Sequence, residues 1–297
     1  MPISIPAASS SFKTSPFAFA ANSNSSPRPA VILPGLGNNS SDYKKLQFTL
    51  LKQHGITTVV PTISRADWLR NAAGLADPNY WRGTLTPLPI LDWYLNRIHQ
   101  AVSQLPAGEL SLIGHSAGGW LARLYLEQYG KSNISLLLTL GTPHMPPPKG
   151  VPGVIDQTRG LLDYVQRYCP EAVYTPELKY VCIAGRYIKG ERLLGSSLIS
   201  ADGGDLVTND QAVGDVTVIN RSTTFGSRFV GQGYKQVCGQ ADVWGDGVVP
   251  EISAHLEGAL NITLDGVYHS PVGSDDTLRP WYGSPAVVDQ WVHHLLN

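Results

Sequence analysis

Residues 114–118 have the sequence Gly-His-Ser-Ala-Gly and lie between an apolar run, 110–113, and a stretch with apolar residues at helical spacing. A serine hydroxyl is a poor nucleophile at neutral pH and must be presented where a base can take its proton. Two flanking glycines permit the sharp strand-to-helix turn that exposes such a serine. The motif therefore predicts Ser116 as a nucleophile. The alternative interpretation is a glycine-rich turn that contains an incidental serine.

A serine nucleophile needs an imidazole to accept its proton and a carboxylate to orient that imidazole. When the serine is carried on this kind of turn, the acid and then the histidine follow it along the chain. Asp246 lies between two glycines in a turn, and His269 follows the last predicted strand. This order favours Asp246 as the acid and His269 as the base. The competing residues are His115, His144, His255, His293 and His294 for the base, and Asp242 and Asp265 for the acid.

The tetrahedral intermediate of such a reaction carries an oxyanion, which requires backbone N–H donors already in position. One donor is expected to be the N–H of Ala117, directly after the nucleophile. The other is expected in the Pro-Gly-Leu-Gly turn at 34–37, at Leu36. The alternative for 34–37 is a plain glycine turn.

The elements that must position these residues alternate between strand and helix patterns. This alternation predicts an α/β fold, with a mainly parallel central sheet and helices on both faces. In such sheets the chemistry collects at the carboxyl ends of the strands, where each of the motifs above lies. Strands are predicted at 30–33, 56–60, 110–113, 134–140, 179–184 and 260–264, and helices at 43–51, 91–105 and 117–129.

Two segments interrupt this pattern. Residues 146–176 begin with three prolines and continue with apolar residues at helical spacing, so we expect either a small cap or lid over the site or an ordinary surface helix. Residues 196–220 are rich in glycine and polar residues and are expected to be irregular. The remainder of 30–297 is predicted to form one domain.

The chain has 297 residues and a formal net charge of −1, without a Lys- or Arg-rich run, so nucleic-acid binding is not expected. Residues 1–29 are rich in Ser, Ala and Pro and lack acidic side chains, as plastid transit peptides do. We therefore expect a chloroplast location, the alternative being a disordered leader on a cytoplasmic protein. No apolar run approaches the ~20 residues that a spanning helix needs, so membrane contact is expected to be peripheral.

Neither a metal nor an organic cofactor is expected. The three cysteines form no Cys-x-x-Cys pair, and their odd count disfavours a disulfide framework or a zinc site. Asp202, Asp205 and Asp210 lack the spacing of a calcium loop. Four tryptophans are expected either to line an apolar pocket or to belong to the core: Trp68, Trp81, Trp120 and Trp244.

The motifs at 114–120, 140–144, 245–250 and 268–270 together resemble those of the α/β-hydrolase superfamily, in particular lipase-like serine esterases and the GPI inositol-deacylase-like group. The resemblance covers approximately 30–297 and implies hydrolysis of a small-molecule or lipid ester through an acyl-enzyme, without a cofactor. With the plastid-like leader, it suggests a plant chloroplast hydrolase of lipidic or phytyl-type esters. An acyltransferase using the same residues and a noncatalytic ligand receptor remain as alternatives.

The chain departs from the family pattern at one point. Many lipases have His-Gly in the oxyanion turn, whereas this sequence has Pro-Gly at 34–35. The backbone donor at Leu36 is compatible with that change. The side chains that support the turn must then differ.

Overall fold

The computed structural model describes residues 27–192 and 216–296, with the backbone alone for 216–225. The predicted leader, apart from 27–29, lies outside the described residues, as do Asp202, Asp205 and Asp210. The plastid location therefore stays a prediction. Within the described residues, no helix combines the length and the apolar character needed to cross a bilayer.

A six-stranded sheet in the order β2-β1-β3-β4-β5-β8, with every neighbouring pair parallel, forms the centre of the fold. A short antiparallel pair, β6 and β7, lies beside it. The strand bounds are β1 Ala30–Leu33, β2 Thr58–Val59, β3 Leu110–His115, β4 Ile134–Leu140, β5 Lys179–Arg186, β6 Ile188–Lys189, β7 Trp244–Gly245 and β8 Leu260–Asp265. β2 pairs with one edge of β1, and β3 pairs with its other edge, so the strand order changes direction between β1 and β3. A ligand crevice is expected outside the carboxyl ends of these two strands.

Helices cover both faces of the sheet. Their bounds are α1 Lys44–His54, α2 Pro78–Arg82, α3 Asp92–Ser103, α4 Ala117–Tyr129, α5 Leu161–Tyr168, α6 Val216–Cys238, α7 Pro285–Trp291 and α8 His293–Leu296, with 3-10 helices at Ser40–Tyr43, Arg65–Ala76 and Glu251–Ser253. Side chains alternate along each strand, so β1 supplies Val31 and Leu33 to one core cluster and Ala30 and Ile32 to the other. The first cluster includes α3, α4 and α5, and the second includes α1, α7 and α8. The predicted α/β class, with a parallel sheet covered on both faces, is confirmed.

One sequence prediction needs correction, and one element was not predicted. The segment 196–220 was expected to be irregular; residues 196–215 lie outside the described residues, and 216–220 begin α6. Glycine and polar content suggested a loop there, whereas the helix is continuous with a later part whose Tyr234 is fully buried. The 3-10 helix Arg65–Ala76 was not predicted, although the side chains of Ser64 and Asp67 form a capping box at its start.

Candidate active site

The serine turn joins β3 directly to α4. Ser116 has φ 52° and ψ −125°, a backbone conformation that non-glycine residues rarely adopt. A Cβ on Gly114 would lie 2.4 Å from the Gly119 Cα, and one on Gly118 would lie 2.2 Å from the Leu33 carbonyl oxygen. Both glycines are therefore required, because strand and helix backbones approach each other more closely than any side chain allows.

A threonine from the next strand connection holds this turn. Thr142 is fully buried, and its hydroxyl donates to the carbonyl oxygen of Ser116 at 2.8 Å. A Cβ on Gly119 would lie 2.0 Å from that hydroxyl oxygen. Thr142 belongs to the sequence motif 140–144, but a positioning role for it could not be predicted without the contact.

Three sequence-predicted residues meet at the carboxyl edge of the sheet. His269, on the loop after β8, has its Nε2 3.0 Å from the Ser116 Oγ. Its Nδ1 lies 2.7 Å from Oδ2 of Asp246, which follows β7. The backbone N–H of His269 also donates to the Asp246 carbonyl oxygen at 2.9 Å. Hydroxyl, imidazole and carboxylate thus form one continuous hydrogen-bonded chain, with both His269 and Asp246 buried.

The Asp246 carboxylate is held by three further donors. Its Oδ1 accepts from the N–H groups of Val248 at 3.0 Å and Val249 at 2.7 Å. Its Oδ2 accepts from the Tyr282 hydroxyl at 2.8 Å. Burial, together with the neighbouring carboxylate, raises the pKa of Tyr282 well above its ordinary value, so this hydroxyl keeps its proton and donates. Sequence reasoning missed Tyr282, since nothing local distinguishes it from a core tyrosine.

The turn at 34–37 lies against the serine. A Cβ on Gly35 would lie 2.8 Å from the Ser116 Cβ. Leu36 and Ala117, whose N–H groups are the predicted oxyanion donors, line the same cavity as Ser116. Neither N–H donates to another group in the part of the chain that the structure describes. Their role as oxyanion donors stays a prediction.

Two tyrosines support this turn where many lipases have His-Gly. Tyr94 donates its hydroxyl to the Pro34 carbonyl oxygen at 2.6 Å. The Gly35 N–H donates to the Tyr43 hydroxyl at 2.9 Å. Both tyrosines are fully buried, and neither was identified from the sequence. The departure at 34–35 is therefore accompanied by a different set of supporting side chains.

His115 connects the same turn to the His269 loop. Its Nε2 lies 2.9 Å from the His269 carbonyl oxygen, and its Nδ1 lies 2.8 Å from the Tyr43 hydroxyl. Because a carbonyl only accepts, Nε2 carries the proton and Nδ1 accepts from Tyr43. Burial lowers the pKa of His115 to about 3, so the ring is neutral at physiological pH. We define the chain of Gly35, Tyr43, His115 and His269 as the relay.

Apart from His115, the competing residues make their contacts elsewhere. His144 is fully buried, with Nε2 3.1 Å from Thr139 Oγ1 and 3.4 Å from Cys182 Sγ, and it does not line the cavity. The others contact residues away from Ser116: His255 contacts Thr263, the rings of His293 and His294 contact each other, Asp242 pairs with Arg192, and Asp265 lies near Arg186. The three cysteines are free.

A cavity of about 560 Å³ opens beside Ser116. Its walls are mainly apolar, and of the four tryptophans Trp68 and Trp120 line it, whereas Trp81 and Trp244 are exposed. Part of the segment 146–176, including 156–162, forms one wall. That segment therefore lies against the site, and its movement as a lid stays a prediction.

Comparisons with known proteins agree with this architecture. Residues 89–166 match the family model described as the PGAP1-like alpha/beta domain, a stretch that contains the serine turn. No curated protein sequence matches the chain.

Several solved structures are similar. Bacillus licheniformis lipase BlEst2 in mature form is 15% identical with a TM-score of 0.48, over 92% of this chain and 93% of that one. Tomato methylketone synthase I complexed with 2-tridecanone is 13% identical with a TM-score of 0.34, over 54% and 79%. Aspergillus fumigatus lipase B is 12% identical with a TM-score of 0.34, over 54% and 37%.

Because these identities and TM-scores are low, the fold is described from features of the chain itself. The strand order with its reversal between β1 and β3 is one such feature, and the left-handed serine between β3 and α4 is another. Both agree with the resemblance that the motifs indicate. The sheet and the serine turn agree with the resemblance to α/β-hydrolases, and residues 89–166 are similar to the PGAP1-like alpha/beta domain.

Proposed function

We propose that this chain hydrolyses carboxylic esters through an acyl-enzyme formed on Ser116. The observation that carries the proposal is the hydrogen-bonded chain from Ser116 Oγ through His269 to Asp246, at the wall of an apolar cavity. A structural role alone does not account for a strained serine that faces both an imidazole and two unused N–H donors.

In the proposed reaction, His269 Nε2 takes the hydroxyl proton as the Ser116 Oγ attacks the ester carbonyl carbon. The N–H groups of Leu36 and Ala117 hold the oxyanion that forms. Asp246 keeps the Nδ1 proton of His269 in place and stabilises the imidazolium. The imidazolium then protonates the leaving alcohol, and a water molecule repeats these steps to release the acid.

We propose a lipidic ester as the substrate. The cavity walls are mainly apolar, and side chains that line the cavity also remain exposed: Leu36, Leu75, Met145 and Val248. Exposed apolar groups next to a binding cavity favour contact with an aggregated or membrane-bound lipid. Such contact would be peripheral.

Covalent labelling by a fluorophosphonate probe tests the role of Ser116. Ser116→Ala is expected to abolish labelling while the unfolding midpoint stays near that of the wild type. Ser111→Ala is the matched control, because Ser111 lies on β3, the strand that leads into the Ser116 turn, fully buried and without a hydrogen-bond partner for its hydroxyl among the described residues. This control should label normally. Undiminished labelling of Ser116→Ala would remove Ser116 from the mechanism.

Product analysis separates hydrolysis from acyl transfer. With an ester substrate and an added alcohol, a hydrolase should release free acid as its main product. Predominant transfer of the acyl group to the alcohol, with water in vast excess, would instead identify an acyltransferase that uses the same residues.

A further inference from the structure

One cation lines the otherwise mainly apolar cavity. Arg159 is half-buried, and its guanidinium lies 4.8 Å from the centre of the Tyr80 ring, which lines the same cavity. Over the side chains of residues 27–192 and 226–296, no carboxylate lies within 4.0 Å of this guanidinium, and it makes no hydrogen bond there. One face of the group is thus covered by an aromatic ring while its five N–H donors remain unused.

The backbone that carries Arg159 is held in place. Arg159 has φ 55°, in the left-handed region that few non-glycine residues adopt. Its carbonyl oxygen accepts from the Leu85 N–H at 2.9 Å, and its N–H donates to the Asp156 carbonyl oxygen at 3.2 Å. A Cβ on Gly160 would lie 2.5 Å from the Gly83 carbonyl oxygen, so this segment is packed tightly against the neighbouring chain. Arg159 is therefore presented from a fixed position.

A carboxylate in the same cavity wall is bound by its own turn. Asp156 also lines the cavity, but its carboxylate accepts from the Thr158 N–H at 2.8 Å, the Thr158 hydroxyl at 2.7 Å and the Gly160 N–H at 2.7 Å. These bonds cap the local turn and direct both oxygens to its backbone. Among the residues that the structure describes, the positive charge of Arg159 has no carboxylate within ion-pair distance.

We propose that Arg159 binds a negatively charged oxygen group, a carboxylate or a phosphate, on the ester that Ser116 attacks. This inference rests on the proposed ester hydrolysis and names its substrate class as amphiphilic esters with an anionic group. A guanidinium fork matches the two oxygens of either anion, and the interaction is strengthened where the walls exclude water. Such a ligand would offset the desolvation free energy of a half-buried charge in an apolar cavity.

Hydrolysis of matched probes tests the proposal. The probes are para-nitrophenyl esters of medium-chain fatty acids and the corresponding esters whose far end carries a carboxylate or a phosphonate. We expect the wild type to prefer the anionic probes in kcat/KM, and Arg159→Met to reduce kcat/KM for them by about tenfold or more. The neutral probe should be affected little. The carboxylate and phosphonate arms distinguish the two anions.

Two control variants complete the test. Arg159→Lys keeps the charge but not the fork and should retain part of the preference. Arg82→Met removes an exposed cation of α2 that does not line the cavity, and it should leave the preference unchanged. A wild type without preference for anionic probes, or a preference that survives in Arg159→Met, would overturn the proposal.

A binding measurement keeps the subsite testable if no ester is hydrolysed. In Ser116→Ala, the fluorescence of Trp68 and Trp120, which line the cavity, should report binding of a medium-chain fatty acid anion and of its methyl ester. We expect tighter binding of the anion, and loss of that difference in Ser116→Ala/Arg159→Met. Equal binding of both ligands would refute the subsite, whereas absent hydrolysis with selective anion binding would refute the proposed reaction alone.

Discussion

Replacing Tyr43 by phenylalanine removes a single hydroxyl from the relay. That hydroxyl accepts from the Gly35 N–H at 2.9 Å and donates to His115 Nδ1 at 2.8 Å. Burial raises the pKa of Tyr43 above its ordinary value, so the hydroxyl is protonated across the working pH range. The ring itself can stay in place, because phenylalanine has the same shape without the oxygen.

The magnitude of the effect follows from the two groups left behind. The Gly35 N–H and His115 Nδ1 are both buried, and each unsatisfied group costs about 1–3 kcal/mol, so we expect a loss of roughly 2–6 kcal/mol in the free energy of unfolding. Complete loss of an oxyanion donor costs about 10²–10³ in kcat. Loss of the Tyr43 hydroxyl should loosen the turn that carries Leu36 without removing the Leu36 N–H. We therefore expect kcat to fall by roughly 10- to 100-fold. KM should change less, since the cavity walls are unaltered.

Urea unfolding and steady-state hydrolysis of a soluble ester measure both effects. Tyr125→Phe is the matched control, because Tyr125 is also buried with its hydroxyl near a histidine, 3.3 Å from His99 Nδ1, but belongs to the α4 core. The control should lose some stability and keep its kcat. A Tyr43→Phe enzyme with wild-type kcat, or one whose kcat falls no further than that of Tyr125→Phe, would refute a link between the relay and catalysis.

Three further outcomes can be measured. Asp246→Asn should lower kcat by about a thousandfold or more with little change in KM, because a neutral amide does not stabilise the positive charge of the His269 imidazolium. A loss of kcat below about tenfold in steady-state assays would contradict this. Burial lowers the pKa of His115 to about 3, so between this value and 6.5 the unfolded chain binds a proton that the folded chain excludes, and stability falls as the pH falls. The stability advantage of the wild type over His115→Gln should therefore shrink by about 1.4 kcal/mol per unit between pH ~6 and pH ~4, and a constant difference in urea unfolding would disprove this origin. Gly114→Ala should destabilise the fold by roughly 2 kcal/mol or more, because its Cβ would lie 2.4 Å from the backbone of α4. The control Gly233→Ala has open space in α6 and should be neutral or stabilising by up to about 1 kcal/mol. Similar unfolding midpoints for the two variants would count against the close packing at Gly114.

The sequence was informative where chemistry is encoded over a few neighbouring residues. The helix predicted at 117–129 and the strand at 134–140 have the predicted bounds in the structure. The strand predicted at 56–60 is shorter, at Thr58–Val59, since strand ends depend on the partner that is available for pairing. The apolar stretch that begins at 154 forms a helix only from Leu161, because the preceding turn is fixed by Asp156.

The residues of the candidate site also fall into those that local sequence patterns identify and those that they do not. Ser116, Asp246 and His269 could be named because short glycine and strand-end patterns mark each of them and because their order along the chain is restricted. Tyr43, Thr142 and Tyr282 could not be named, because each acts through a contact with a residue far away in the sequence. A buried tyrosine that supports a site and one that fills the core have the same local pattern.

By itself, the sequence determined the alternation of strands and helices, the turn that must contain glycine, and the types of residue able to handle a proton. These follow from side-chain periodicity and from backbone sterics, which act between near neighbours. Three features came from the packing alone: the histidine that faces Ser116, the hydroxyls that support the turn at 34–37, and the position of Arg159 in the cavity with no carboxylate partner among the described residues. Those outcomes depend on distances between elements that the packing of the sheet and its helices brings together.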